Sequence, residues 1–338
     1  MPRSTAGTRP FNSADMYSQP FKPSSVARAR LAGAFFALAC LLSTEALSKE
    51  PRVLVETRES LYNKIYIYKE NNLVFMTFGL NKALFVESAA NTADELELPA
   101  PYTRFMTTGL AYARTIGSVL EIGSGGGRTA WYLHRSLPDL PITSVEIDPV
   151  VIELSHKYFG IRDEANFNLA NEDGRQFLSH TTQRYDVILL DAYHGPFVPF
   201  HLLTKEFYGL VKQHLAEGGV ILQNLDPSSA LFDSVVKTVR TAFAQTDLFV
   251  ADENVVLAAY DGEPRSKDEL TGLADARQRQ FKFRYSLPDL VKERRRIERS
   301  DPGIDPAAKI LTDDFAPVEA LKAIERHNRQ WPSLSPGR

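Results

Sequence analysis

Four acids in this chain sit where apolar runs end, and their order is that of a site that grips a nucleoside and moves a proton. Glu121 stands in Val119-Leu-Glu-Ile-Gly-Ser-Gly-Gly-Gly-Arg128, and Glu146 closes Ile142-Thr-Ser-Val-Glu. Asp173 follows Phe167-Asn-Leu-Ala-Asn-Glu, and Asp191 follows Tyr185-Asp-Val-Ile-Leu-Leu. A buried strand that breaks into small residues lets the backbone approach a ligand and lets a helix start at the turn. At the end of the next strand, Glu146 can accept bonds from both hydroxyls of a ribose. Asp173 can accept from an adenine amino group while Gly174 leaves room for the backbone. The same acid before Arg175-Gln-Phe would also cap a helix. Asp191 suits amine chemistry. An aliphatic amine is an ammonium at neutral pH (reference pKa about 10.4), so it needs a carboxylate to hold it and take its proton.

The Gly loop narrows the ligand. A dinucleotide fingerprint asks for Gly at the sixth place of G-x-G-x-x-G, and here that place is Arg128. Glu121, two residues before Gly123, fits the acid-x-Gly-x-Gly loop of S-adenosylmethionine (AdoMet) enzymes better. With Gly123, Gly125 and Gly127 as loop residues, the reading is a nucleoside-sulfonium site rather than NAD. A purely structural turn is the bland alternative.

The elements that must position these acids follow from periodicity. Val53–Thr57, Lys64–Lys69 and Leu73–Phe78 alternate as three strands, with Glu70-Asn71-Asn72 as a hairpin turn. A helix over Tyr102–Ala113 then leads into alternating strands and helices. Strands are expected at 118–122, 142–147, 167–170, 186–190 and 220–224, and helices at 128–136, 149–158, 175–181, 204–215 and 229–245. That alternation predicts an α/β fold with a mostly parallel sheet, closed by an antiparallel pair at 249–251 and 255–259. Lys292–Arg299 reads as a solvated helix face. The expected division is a leader over 1–48, a β-strand domain over 49–95, a Rossmann-like catalytic domain over 96–262 and a charged extension over 263–338.

Composition excludes other classes. A net charge of −3 gives no basic field for nucleic acid. Residues 1–30 are rich in Ser, Pro and Arg, and Leu31–Leu42 is an apolar block of signal-peptide length with an Ala46-Leu-Ser48 cleavage site. That predicts export, periplasmic or secreted, if the leader is cleaved; a transit peptide, an uncleaved anchor, lipidation at Cys40 or a start at Met16 are the rivals. No span is expected after leader removal. No metal is expected, because His194 and His201 lack further ligands at useful spacing.

Taken in order, several segments resemble the polyamine aminopropyltransferases, the spermidine synthase-like enzymes. They are Glu56-Thr-Arg-Glu-Ser-Leu-Tyr62, the Gly loop, Val145-Glu-Ile-Asp148, Glu172-Asp-Gly174, Tyr185–Asp191 and Thr204-Lys-Glu-Phe-Tyr208, with Leu311-Thr-Asp-Asp-Phe-Ala-Pro317 resembling the end of a bacterial branch. The resemblance implies a β-strand N-terminal domain, a Rossmann-like AdoMet-methyltransferase-type catalytic domain and often a homodimer. It also implies decarboxylated AdoMet as aminopropyl donor, methylthioadenosine as by-product and a small-molecule amine as acceptor. Asp191 would then be the base, with Tyr193 shaping the acceptor's approach.

Several positions depart from the family pattern. Gly126 stands where the family's loop carries an Asp that holds the donor's amino group, and Asp-x-x-Asp becomes Asp191-Ala-Tyr-His194. Leu-Asp-Gly-x-x-Gln is reduced to Leu80-Asn-Lys-Ala, and Tyr-His-Glu to Tyr102-Thr-Arg104. A pocket gaining Lys82, Arg104 and His194 would repel a diamine, which predicts a monoamine or amino-acid-like acceptor. The alternatives are an AdoMet-dependent methyltransferase and a non-catalytic nucleoside-binding relative.

Overall fold

The computed structural model describes residues 51–80, 83–298 and 301–314. The expected leader, Cys40, Lys82 and the segment beyond Asp314 lie outside the described residues.

Two sheets share one core. The first is antiparallel and runs β1 (Val53–Glu59), β2 (Lys64–Glu70), β3 (Leu73–Leu80) and β4 (Ala83–Asn91) in order. Alternation drives it: Ile65 and Ile67 of β2, and Val74 and Met76 of β3, are buried while the residues between them are more exposed. Asn71 sits in the left-handed region at φ 52°, which suits a two-residue turn, Glu70 of the expected turn belonging to β2. The sequence predicts three strands here and the structure has four. A bulge interrupts β4: Met76 pairs with Ser88 and Thr77 with Val86, so Glu87 has no partner across the strand. That extra residue breaks the period-two signal by which a strand is read.

The second sheet has the order β12-β10-β11-β9-β8-β5-β6-β7. Its parallel part comprises β5 (Val119–Ile122), β6 (Ile142–Glu146), β7 (Phe167–Asn171), β8 (Tyr185–Leu190) and β9 (Leu215–Leu225). β10 (Gln245–Ala251) and β11 (Asn254–Tyr260) add the antiparallel pair. β5 and β8 are buried at every residue, as a sheet covered on both faces requires.

One face is covered by α1 (Pro101–Met106), α2 (Gly109–Tyr112), α3 (Arg128–Ser136) and α4 (Pro149–Tyr158), together with α8 (Lys267–Phe281), α9 (Leu287–Lys292) and the first sheet. The other is covered by α5 (Gly174–His180), α6 (Lys205–Gln213) and α7 (Phe232–Ala242). The helix expected over Tyr102–Ala113 is split into α1 and α2 at Thr107-Thr108. Each of these hydroxyls donates to a carbonyl three residues back, at 2.7 Å, in competition with the helix ladder.

Lys292–Glu298, the described part of the expected face over Lys292–Arg299, is not a solvated helix face. α9 ends at Lys292, and Arg295–Arg296 form the edge strand β12 against β10. The cause is tertiary. Asp247 of β10 is buried, and Arg294 approaches it to 3.6 Å while the Tyr112 hydroxyl donates to it at 2.8 Å. A buried carboxylate needs such partners, and that need fixes the path of the chain.

The first sheet is anchored where it meets the Gly loop and α4. Arg58 makes a two-pronged ion pair with Glu153, Ser60 donates to Asp148 at 2.5 Å, and Ser88 accepts from the Gly126 amide at 2.8 Å. β4 thereby becomes a wall of whatever lies beyond the carboxyl ends of the parallel strands.

Candidate active site

Crossovers leave β5 toward β6 and leave β8 toward β9, so the strand order reverses between β5 and β8. Ligands of such sheets bind at that switch point. A cleft of about 1190 Å³ opens there, between the strand ends and β4.

The end of the cleft beside the Gly loop is built on backbone amides. Gly123 holds φ 89°, and a Cβ there would come within 2.5 Å of the Asp191–Ala192 backbone, so only Gly lets the loop cross the end of β8. Glu146 accepts from the Gly125 amide at 2.9 Å and from the Asp148 amide at 3.0 Å, which aims its carboxylate into the cleft. Burial raises its pKa, against those two amides. Each oxygen keeps a lone pair for a ribose hydroxyl. Asp173 does cap α5, accepting from the amides of Arg175 and Gln176 at 3.0 and 2.9 Å. Its other oxygen takes His201 at 2.8 Å, and that contact leads in holding its carboxyl below the usual range. Gly174 lines the cleft beside it.

The opposite end is built on side chains. Asp191 ends β8, accepts from the Asn224 amide at 2.9 Å and is bonded by the Tyr102 hydroxyl. Asn254 donates to the Asn224 carbonyl at 3.0 Å, which fixes that amide with its NH₂ toward Asp191. Burial pushes the Asp191 carboxyl up to about 7, with both partners pulling the other way. Tyr193 lines the same end, its hydroxyl donating to the Asn224 backbone carbonyl at 3.1 Å.

Two of the expected contact residues lie behind the site. Glu121 is buried under the Gly loop, bonded by Ser144 at 2.5 Å and by the Ala130 amide at 3.3 Å, and it does not line the cleft. Its desolvated carboxyl is pushed up to about 8. It positions the loop and the start of α3 rather than touching a ligand. Gly127 likewise packs against Ile161, outside the cleft. Arg128 is turned away too, donating to the Phe159 and Glu95 carbonyls.

The expected repulsion of a diamine also changes. Arg104 points away, donating to the Leu98 carbonyl at 2.9 Å and stacking on Tyr285, and it does not line the cleft. Among the described residues no Lys or Arg lines it, while Glu87, Glu146, Asp191 and Asp226 all do. The field of this cleft favours cations.

Sequence reasoning missed Glu87 and Asn224. Asn224 carried a usable signal, since it follows the apolar run Val220-Ile-Leu222 just as Asp191 follows its own. Among the described residues no cluster of three or more His, Cys, Asp or Glu is arranged to hold a metal, and no helix is long and apolar enough to cross a membrane.

A family profile described as the spermine/spermidine synthase domain matches residues 106–252. A polyamine aminopropyltransferase of Vibrio vulnificus is 28% identical over 299 residues, covering 85% of this chain and 97% of that protein. Spermidine synthase from Thermotoga maritima shares the fold with a TM-score of 0.56 at 18% identity, over 70% of this chain and 82% of that one. Human methyltransferase-like protein 13, in complex with SAH, does so with a TM-score of 0.50 at 24% identity, over 54% and 92%.

Proposed function

We propose that this chain, which belongs to the spermine/spermidine synthase family, is a transferase that moves an aminopropyl group from decarboxylated AdoMet to an amine in polyamine synthesis. The observation that carries the reading is Asp191, a buried carboxylate raised to about 7 in the cleft that also holds Glu146. A base near neutrality is well matched to taking a proton from a bound ammonium.

The geometry supports one displacement. Glu146 would hold the ribose and Asp173 the adenine of the donor, while Asp191 holds the acceptor's nitrogen and Tyr193 limits its approach. Asp191 takes a proton from the ammonium. The freed lone pair attacks the carbon next to sulfur, and the C–S bond breaks with its electron pair returning to sulfur. The products are the alkylated amine and neutral methylthioadenosine. Asn224 and Tyr102 keep Asp191 fixed while its charge changes. The acidic lining supports a polyamine-type acceptor, and Arg104's turn away from the cleft removes part of the argument for a monoamine.

Product analysis tests this reading. The purified chain is incubated with decarboxylated AdoMet or AdoMet and a panel of amines, and the nucleoside product is identified by mass spectrometry. Methylthioadenosine, formed only with the decarboxylated donor, is the expected result. S-adenosylhomocysteine formed from AdoMet would mean methyl transfer instead.

A further inference from the structure

The bulge in β4 has a chemical consequence. It leaves Glu87 unpaired in the ladder and sets its side chain in the wall of the cleft. Bulges re-aim side chains in this way beside active sites. The Oε1 atom of Glu87 is buried and, among the described residues, has no hydrogen-bond partner. Burial first, then the charges of Asp191 and Glu146, push its carboxyl well above the usual range. A desolvated acid facing two other acids is unfavourable in its charged form until a cation arrives.

Its place in the cleft indicates which cation. The neighbouring Ser88 is bonded to the Gly126 amide, and a Cβ at Gly126 would come to 2.8 Å from the Ser88 Cβ and 2.6 Å from the Phe159 ring. β4 therefore occupies the space a side chain at 126 would need. The same strand brings a carboxylate beside the Gly loop, close enough to feel both Glu146 at the nucleoside end and Asp191 at the base. The arm of a bound sulfonium donor must run between those two ends.

We propose that Glu87 binds the primary ammonium of the donor's three-carbon arm and so selects a decarboxylated donor over one that keeps its carboxylate. The assignment rests on the aminopropyl-transfer reading. A donor with an intact carboxylate would set a third negative charge against Glu87 and Asp191, whereas the decarboxylated arm offers only the ammonium.

Glu87→Gln keeps the shape and removes the charge. Calorimetric titration of the full chain compares decarboxylated AdoMet, AdoMet and methylthioadenosine, without acceptor. The variant is expected to bind decarboxylated AdoMet about tenfold or more weaker, the loss of one charge-assisted bond. It should bind methylthioadenosine, which has no amine, within about twofold of the parent, showing that the fold is intact. AdoMet should bind as before or tighter, so the preference between donors collapses. Equal weakening of all three ligands would make Glu87 merely structural. Unchanged donor affinity with a raised KM for the amine would assign it to the acceptor. Either result overturns the proposal. Failure of the parent chain to bind methylthioadenosine would instead remove the nucleoside reading itself.

Discussion

The two ends of the cleft hold their acids in opposite ways. At the proposed nucleoside end, Glu146 and Asp173 each accept two backbone amides, so their geometry is complete before any ligand arrives. At the proposed amine end, among the described residues, Asp191 is held only by the side chains of Asn224 and Tyr102, and one oxygen of Glu87 has no hydrogen-bond partner. A carboxylate tied to amides is a preformed acceptor for neutral hydroxyls. One buried without amides keeps its proton and gives it up when a cation enters. The first arrangement gives affinity and orientation, and the second gives a group whose charge answers to substrate.

The comparison can be broken by changing one end at a time. The largest effect is expected at Asp191. Asp191→Asn keeps the bond to Tyr102, removes the base, and should lower kcat by ~10²-fold or more while methylthioadenosine still binds. A variant with parental kcat would move the base elsewhere. Next comes Glu146→Ala, which removes two amide acceptors and the ribose contact together. It should abolish the thermal shift given by methylthioadenosine, because each charge-assisted bond carries ~1.5–3 kcal/mol. A retained shift would place the nucleoside somewhere else.

The smallest effect is expected at Glu121, behind both ends. Burial holds its folded pKa at about 8, above the ordinary glutamate value of 4.5. The stability this group contributes is therefore complete below about pH 4.5 and is lost as pH rises toward and through 8. Glu121→Gln should match the parent at pH 5 in thermal melts and exceed it by a few degrees at pH 8 to 9, with kcat nearly unchanged. A loss of kcat like that of Asp191→Asn would return Glu121 to the contact set.

The nucleoside end was the more legible in sequence, for a physical reason. Backbone-built sites announce themselves through Gly and through acids that end apolar runs, and both signals are local. Glu146 and Asp173 carry both signals, Asp191 at the other end carries the second, and the parallel strands follow from the same apolar runs. Glu87 was hidden because its bulge breaks the alternation that would have marked β4. Arg104 departs from expectation because side-chain type does not show direction, and Leu98 and Tyr285, which turn it away, are set by the fold. The segment after Lys292 was misread because its charges look amphipathic locally, whereas a buried Asp247 far along the chain decides its path.

The most direct test of the difference between the two ends is to count protons on binding. Calorimetry at pH 7, in buffers of different ionisation enthalpy, measures protons released when the methylthioadenosine-bound chain takes up an amine. With Asp191 near 7 before the cation enters, up to about half a proton should be released, and Asp191→Asn should abolish most of it. Methylthioadenosine binding to the empty chain should release almost none. Amine binding without proton release, or release that survives in Asp191→Asn, would contradict the account.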